Sequence, residues 1–283
     1  MKHTFLAVAV ACALAGCAIQ ISDSNFIRPV AASKLDATTA ESLLPAGYSV
    51  TTDFVSTADG EKLYRARFTH SDAKSVVVFF NGNITTVERH AASTAVKLSK
   101  DWHPNFVFVD YRGYGQSTGK PNLETLHTDA LRVFEDEQKR ARALSQKAVL
   151  AGYSIGGVVA GGVLETFRPD AVLLVATVTD VKDMIALAMP TYMKLFFRIS
   201  VDPRLDAIDN RRALSKYSGP LLVVAGARDS QTPAILSKAL FDAALTPEAY
   251  KRLVVAKGAE HNDVLDAQEF REALNSFVVK NKL

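Results

Sequence analysis

Three side chains in the second half of the chain have the types and order needed for acyl transfer. Gly152-Tyr153-Ser154-Ile155-Gly156 sets a serine between two glycines, after the mostly apolar run Lys147 to Ala151 and before a glycine-, alanine- and valine-rich stretch. A strand that enters a helix this abruptly leaves one residue on a sharp, strained turn. Glycines two before and two after leave room for the turn. The exposed hydroxyl of Ser154 then lies at the N-terminus of the following helix, where free amides and the helix dipole favour developing negative charge. Such a serine needs a base and an acid. His261 is the one histidine that follows Ser154, and it lies in Gly258-Ala259-Glu260-His261-Asn262-Asp263 between the last strand and the last helix. The other histidines, His3, His70, His90, His103 and His127, are better placed for surface or capping roles. Asp229 follows the apolar strand Leu221 to Val224, and Asp180, after the preceding strand, competes with it on chain order. Glu260 and Asp263 are expected to serve their own loop.

Positioning such groups takes a sheet whose strands end side by side. The 283 residues are 48% hydrophobic and 22% charged, an ordinary globular composition large enough for one α/β domain. The net charge of +3 is spread over interspersed acids and bases, so no basic face points to nucleic acid. Strand patterns run over Tyr48–Val55, Leu63–Phe68, Ser75–Phe80, Asn105–Asp110, Lys147–Ala151, Ala171–Ala176, Leu221–Ala225 and Leu253–Ala256. The first two are joined through Ala58-Asp59-Gly60, a hairpin signal. Helical patterns fit Val87–Lys100, Leu123–Leu144, the stretch after Ser154, Pro233–Leu245 and Asp266–Lys280. This alternation predicts a mostly parallel, doubly wound sheet with antiparallel strands at its N-terminal edge. Carboxyl ends of such strands carry ligand-facing groups, and Ser154, Asp229 and His261 all fall there.

The N-terminus reads differently. Lys2, the apolar run Phe5 to Leu14 and the small residues after it have the form of a secretory signal, too short to span a bilayer. Leu14-Ala15-Gly16-Cys17 resembles the lipobox of bacterial lipoproteins, cut before the cysteine, whose thiol is then lipidated. That resemblance implies a signal peptide over 1–16 and a lipidated Cys17. Ala18 in place of aspartate implies the periplasmic face of an outer membrane, where the host has one. Residues 17–46, with Pro29 and Pro45, are expected to tether a domain spanning 47–283. The two cysteines are Cys12 and Cys17, so the body of the chain holds no disulfide and no cysteine metal site.

With these motifs together, the chain resembles the α/β-hydrolase serine hydrolases marked by a D-Y-R-G-Y-G-x-S-x-G loop and a terminal H-N-D. The matching residues are Asp110 to Gly119, the serine elbow, Gly226 to Asp229, and His261-Asn262-Asp263. The resemblance runs from about Val76 to the C-terminus and implies Ser154 as nucleophile, His261 as base and Asp229 as its orienter. The family usually has His-Gly-Asn after the third strand of its fold, where this chain has Asn81-Gly82-Asn83. The oxyanion donors expected are the backbone amides of Asn83 and Ile155. Asp110 and Arg112 are expected as a structural pair beside the site. The glycines of Gly113 to Lys120 do not have dinucleotide or P-loop spacing.

Thr177 to Pro220 leaves room for a small helical cap, densely apolar from Met184 to Phe197. It is read as a helix packed on the core, with an acyl-binding wall as the sharper possibility. The expectation is a lipid-anchored serine hydrolase of carboxylic esters or thioesters, acting on a small-molecule or lipid ester without metal or organic cofactor. A peptidase on the same fold and a catalytically silent lipid-anchored binding protein are the alternatives.

Overall fold

The structure is a computed structural model that describes residues 18–23, 26–180, 182, 183, 185 and 198–283. The signal region and Cys17 lie outside these residues, and so does the run from Met184 to Phe197 except Ile185. Among the described residues no helix is long and apolar enough to cross a membrane.

The sheet contains β2 (Tyr48–Ser56), β3 (Lys62–His70), β4 (Ser75–Phe80), β5 (Asn105–Val109), β6 (Lys147–Tyr153), β7 (Ala171–Val175), β9 (Leu221–Gly226) and β10 (Lys251–Ala256). Their spatial order is β10-β9-β7-β6-β4-β5-β3-β2. Pairing is antiparallel from β2 to β3 and from β3 to β5, and parallel elsewhere, so only β3 runs against the rest. A short parallel pair, β1 (Ala18–Ile21) with β8 (Arg198–Val201), stands apart.

Continuous apolar strands follow from cover on both faces. β4, β7 and β9 are buried at every position. Along β4, Val77 and Phe79 join one core cluster while Val76, Val78 and Phe80 join the other, as a two-residue period requires. The first cluster takes in α1 (Ala37–Leu43), α2 (Val87–Leu98) and α7 (Gln268–Asn281); the second takes in α3 (Leu123–Ala143), α4 (Ile155–Thr166) and α6 (Ala234–Ala243). α3 starts in a capping box, in which Asn122 Oδ1 accepts from the Thr125 amide at 2.8 Å and Thr125 Oγ1 accepts from the Asn122 amide at 2.9 Å.

One expectation changes here. Within the segment read as a tether, residues 26–46 lie on the folded body. Ile27, Ala40 and Leu44 are buried, and Glu41 Oε1 accepts from the Val50 amide at 2.6 Å. Ala37, Ala40 and Leu44 keep a helical spacing toward the first core cluster, while Phe26 to Ala32 is held largely through its main chain. The cap expected over 177–220 falls partly outside the described residues, and its described part includes β8, a 3₁₀ turn at Pro203–Ala207 and α5 (Asn210–Leu214). α5 is fastened to the turn after β7, since Asn210 Nδ2 donates to the Val178 carbonyl at 2.7 Å.

Candidate active site

Ser154 occupies the turn between β6 and α4 with φ 55° and ψ −122°, a backbone state that L-residues rarely adopt. Neighbouring bonds hold it there. Its amide donates to the Val175 carbonyl at 3.0 Å, and its carbonyl accepts from Thr177 Oγ1 at 2.7 Å and the Gly157 amide at 3.0 Å. Both flanking glycines are sterically required. A Cβ on Gly156 would stand 1.9 Å from the Phe80 carbonyl oxygen, and one on Gly152 would stand 2.3 Å from that of Gly156.

The structure brings the three expected side chains together from three loops. His261 Nε2 lies 3.0 Å from Ser154 Oγ, and His261 Nδ1 lies 2.8 Å from Asp229 Oδ2. Asp229 Oδ1 accepts from the backbone amides of Gln231 and Thr232, each at 2.8 Å, and Oδ2 also accepts from Thr232 Oγ1 at 2.6 Å. Burial alone would raise the Asp229 carboxyl. The hydrogen bonds from His261 and Thr232 outweigh it and hold the group below the usual carboxylate range. Asp229 is therefore a fixed anion at neutral pH. With Asp229 ionised, Nδ1 carries the imidazole proton and Nε2 is left to accept from the Ser154 hydroxyl.

The competing acid is elsewhere. Asp180 pairs with Arg211 and accepts from the Asp183 amide at 2.7 Å, a helix-start role away from His261. In the His261 loop, Asp263 Oδ1 accepts from the Glu260 amide at 2.6 Å, the local role expected for these acids.

Asp110 and Arg112 do not pair. The Asp110 carboxylate accepts from the amides of Val87, at the start of α2, and Gln116, at 2.7 and 3.2 Å. Burial raises it to about 6. Arg112 faces the other way, bonded to Asp129 at 2.9 and 3.0 Å and to Asp59. The two side chains separate because each has its own partners, the Val87 and Gln116 amides for Asp110 and the carboxylates of Asp59 and Asp129 for Arg112.

The amides of Asn83 and Ile155 donate to no group among the described residues. Ile155 is the first residue of α4, whose amide has no partner one turn earlier. The Asn81 side chain, standing where the family usually has histidine, is buried, and its Nδ2 has no acceptor among the described residues. Sequence reasoning missed Thr232, Thr177 and Tyr153. Thr232 Oγ1 also lies 3.2 Å from His261 Nδ1, and the Tyr153 hydroxyl donates to the His261 carbonyl at 2.8 Å. The Asp229-x-x-Thr232 spacing is a turn signal that could have revealed the first.

Ser154 opens into a cavity of about 770 Å³. Phe26, Leu123, Ile155, Val158, Val178 and Ile208 give it apolar surface. His90, Ser93, Thr94 and Lys97, one stripe of α2 at helical spacing, give it polar surface. Among the described residues no group of three or more His, Cys, Asp or Glu side chains is placed to hold a metal ion.

Known proteins resemble this chain in sequence and fold. The family model described as "Serine aminopeptidase, S33" matches residues 71–216. An uncharacterized protein of Mycobacterium tuberculosis is 31% identical over 248 residues, covering 85% of this chain and 82% of that one. The human protein ABHD12B is 31% identical over 210 residues, 68% of this chain and 57% of that one. Esterase Pf2001 of Pyrococcus furiosus superposes with a TM-score of 0.65 at 16% identity, over 90% of this chain and 97% of that one, a likeness of fold. Sheet order, elbow and family match agree, and the chain belongs to the serine aminopeptidase S33 family of α/β-hydrolases.

Proposed function

We propose that the chain is a serine hydrolase that cleaves carboxylic esters or thioesters through an acyl-enzyme on Ser154. The observation that carries this reading is the hydrogen-bonded line from Asp229 through His261 to Ser154, at 2.8 and 3.0 Å, opening into the cavity. In the acylation step His261 Nε2 takes the Ser154 proton as Oγ bonds to the substrate carbonyl carbon. The amides of Asn83 and Ile155 receive the negative charge on the carbonyl oxygen. The imidazolium returns its proton to the leaving oxygen or sulfur as that bond breaks. Water, deprotonated by the same imidazole, then releases the acid and restores Ser154. Asp229 stays ionised and holds the imidazole in the tautomer whose Nε2 is free.

The family description makes a peptidase the second reading. A free α-ammonium group calls for a carboxylate at its binding site, and the described residues lining the cavity include none. That favours esters. The test is a panel of acyl p-nitrophenyl esters, acyl thioesters and aminoacyl p-nitroanilides. Each added methylene that enters apolar surface is worth up to about 0.8 kcal/mol, so kcat/KM is expected to rise severalfold per one or two carbons from acetyl upward until the pocket is filled. A flat ester series with faster aminoacyl anilides would transfer the protein to the peptidase reading.

The same proposal includes an anchor. The lipobox Leu14 to Cys17 supports a mature chain that begins at lipidated Cys17, on an exported protein. Cys17→Ser is expected to abolish lipid labelling and to move the protein from the membrane fraction to the soluble one. A mature N-terminus elsewhere, read by mass spectrometry, would remove the anchor.

A further inference from the structure

The segment ahead of β2 is fastened to the loop that carries Asn83. The main chain of Phe26 to Arg28 consumes the Asn83 carboxamide: Asn83 Nδ2 donates to the Phe26 carbonyl, and Oδ1 accepts from the Arg28 amide at 3.1 Å. Tyr114 closes the junction. Its hydroxyl accepts from the Arg28 amide and donates to Asn83 Oδ1, both at 2.8 Å. Burial pushes this phenol up to about 12, so it remains a donor at any physiological pH.

The rest of the segment is tied down on either side of that junction. Ile27 is buried in the second core cluster with Tyr114 and Leu126. The Asp23 carbonyl accepts from the amides of Phe26 and Ile27, each at 2.9 Å, and the Val30 carbonyl accepts from the Gly115 amide at 2.8 Å. Gln116 Nε2 donates to the Ala32 carbonyl. Phe26 itself lines the cavity that contains Ser154.

We propose that this N-terminal strap is a working part of the active site, in which Asn83 is a positioning side chain that aims its own backbone amide at the oxyanion and Phe26 is a specificity-determining wall of the acyl pocket. The inference rests on the serine-hydrolase reading and extends it to a segment outside the residues matched to the family. Its physical basis is that an oxyanion donor acts only when it is held at the position the charged oxygen will occupy. The 81–86 loop bears two glycine-flanking asparagines and no sheet pairing of its own. Besides the Ile84 amide and the Tyr114 hydroxyl, which both donate to Asn83 Oδ1, the strap supplies the bonds that tie Asn83 to the body.

Full-length protein is used for the test, with acetyl and octanoyl p-nitrophenyl esters as probes. Loss of one aligned oxyanion donor costs on the order of 10²–10³-fold in kcat, so partial misalignment in Asn83→Ala is expected to lower kcat roughly 10- to 100-fold with KM nearly constant. Tyr114→Phe removes only the hydroxyl that joins strap to loop and is expected to lower kcat several-fold in the same pattern, without threatening the fold. Phe26→Ala is expected to lose about tenfold more kcat/KM on the octanoyl ester than on the acetyl ester, and Phe26→Leu to recover most of it. Wild-type kcat in both Asn83→Ala and Tyr114→Phe would overturn the positioning role, and equal losses on both esters in Phe26→Ala would overturn the wall. A wild type inactive on every ester and thioester would instead defeat the hydrolase reading from which this one starts.

Discussion

Ser154→Ala is expected to lower kcat on the preferred ester by about 10⁶-fold, the loss found when the nucleophile of a comparable triad is removed. A fluorophosphonate probe should label the wild type and leave the variant unlabelled. The loss would be chemical, because among the described residues the Ser154 hydroxyl bonds only to His261, at 3.0 Å, while the turn is held by the Ser154 amide and carbonyl. Alanine keeps both main-chain groups. Losing the hydroxyl's hydrogen bond is worth about 1 kcal/mol at most, or roughly 2–4 °C in Tm for a domain of this size. Equal labelling of both proteins would end the acyl-enzyme mechanism. A collapse of Tm with the activity would leave the chemical role of Ser154 without support from this variant, and Ser154→Cys, which retains a nucleophile on the same turn, would then decide it by its covalent adduct.

What can be read from the sequence is what depends on side-chain type along the chain. β4 is delimited at both ends because six consecutive apolar or small residues, Ser75 to Phe80, are buried on both faces and leave no other reading. Ser154 is legible because an elbow needs glycine at 152 and 156, where any Cβ would collide with backbone. His261 stands out as the one base after the elbow. Features held by main-chain atoms leave no such trace. The strap from Phe26 to Ala32 bonds through carbonyls and amides that every residue has, so its side-chain types do not show where it docks. The separation of Asp110 from Arg112 depends on partners far away in sequence, the start of α2 for one and Asp59 and Asp129 for the other, which only the fold brings close. Thr232 lies between these cases. Its spacing from Asp229 encodes a turn, but only the fold brings its hydroxyl to His261 Nδ1.

Asp229→Asn is expected to lower kcat by about 10⁴-fold, the cost of the wrong histidine tautomer in a serine protease triad. The direction of the new carboxamide is dictated by the backbone. Asp229 Oδ1 accepts two amides, from Gln231 and Thr232, each at 2.8 Å, so the carboxamide oxygen of the variant must stay there. Its NH₂ then takes the place of Oδ2 and presents a donor to His261 Nδ1. The imidazole answers by moving its proton to Nε2, which turns the face toward Ser154 from acceptor to donor. Ser154 can then no longer lose its proton to His261. Thr232 Oγ1 accommodates the change by accepting from the new NH₂, so the fold should survive while the chemistry does not. Asp180→Asn provides the contrast. Its partner Arg211 is partly exposed, with 42% of that side chain accessible, and breaking such a pair costs about 1 kcal/mol or less of stability with no effect on the imidazole. The measurement is kcat for both variants on one ester, with the His261 tautomer read from ¹⁵N shifts of the imidazole. If Asp180→Asn lost more activity than Asp229→Asn, or if Asp229→Asn kept its proton on Nδ1, the carboxylate of Asp229 would no longer explain how the base is set.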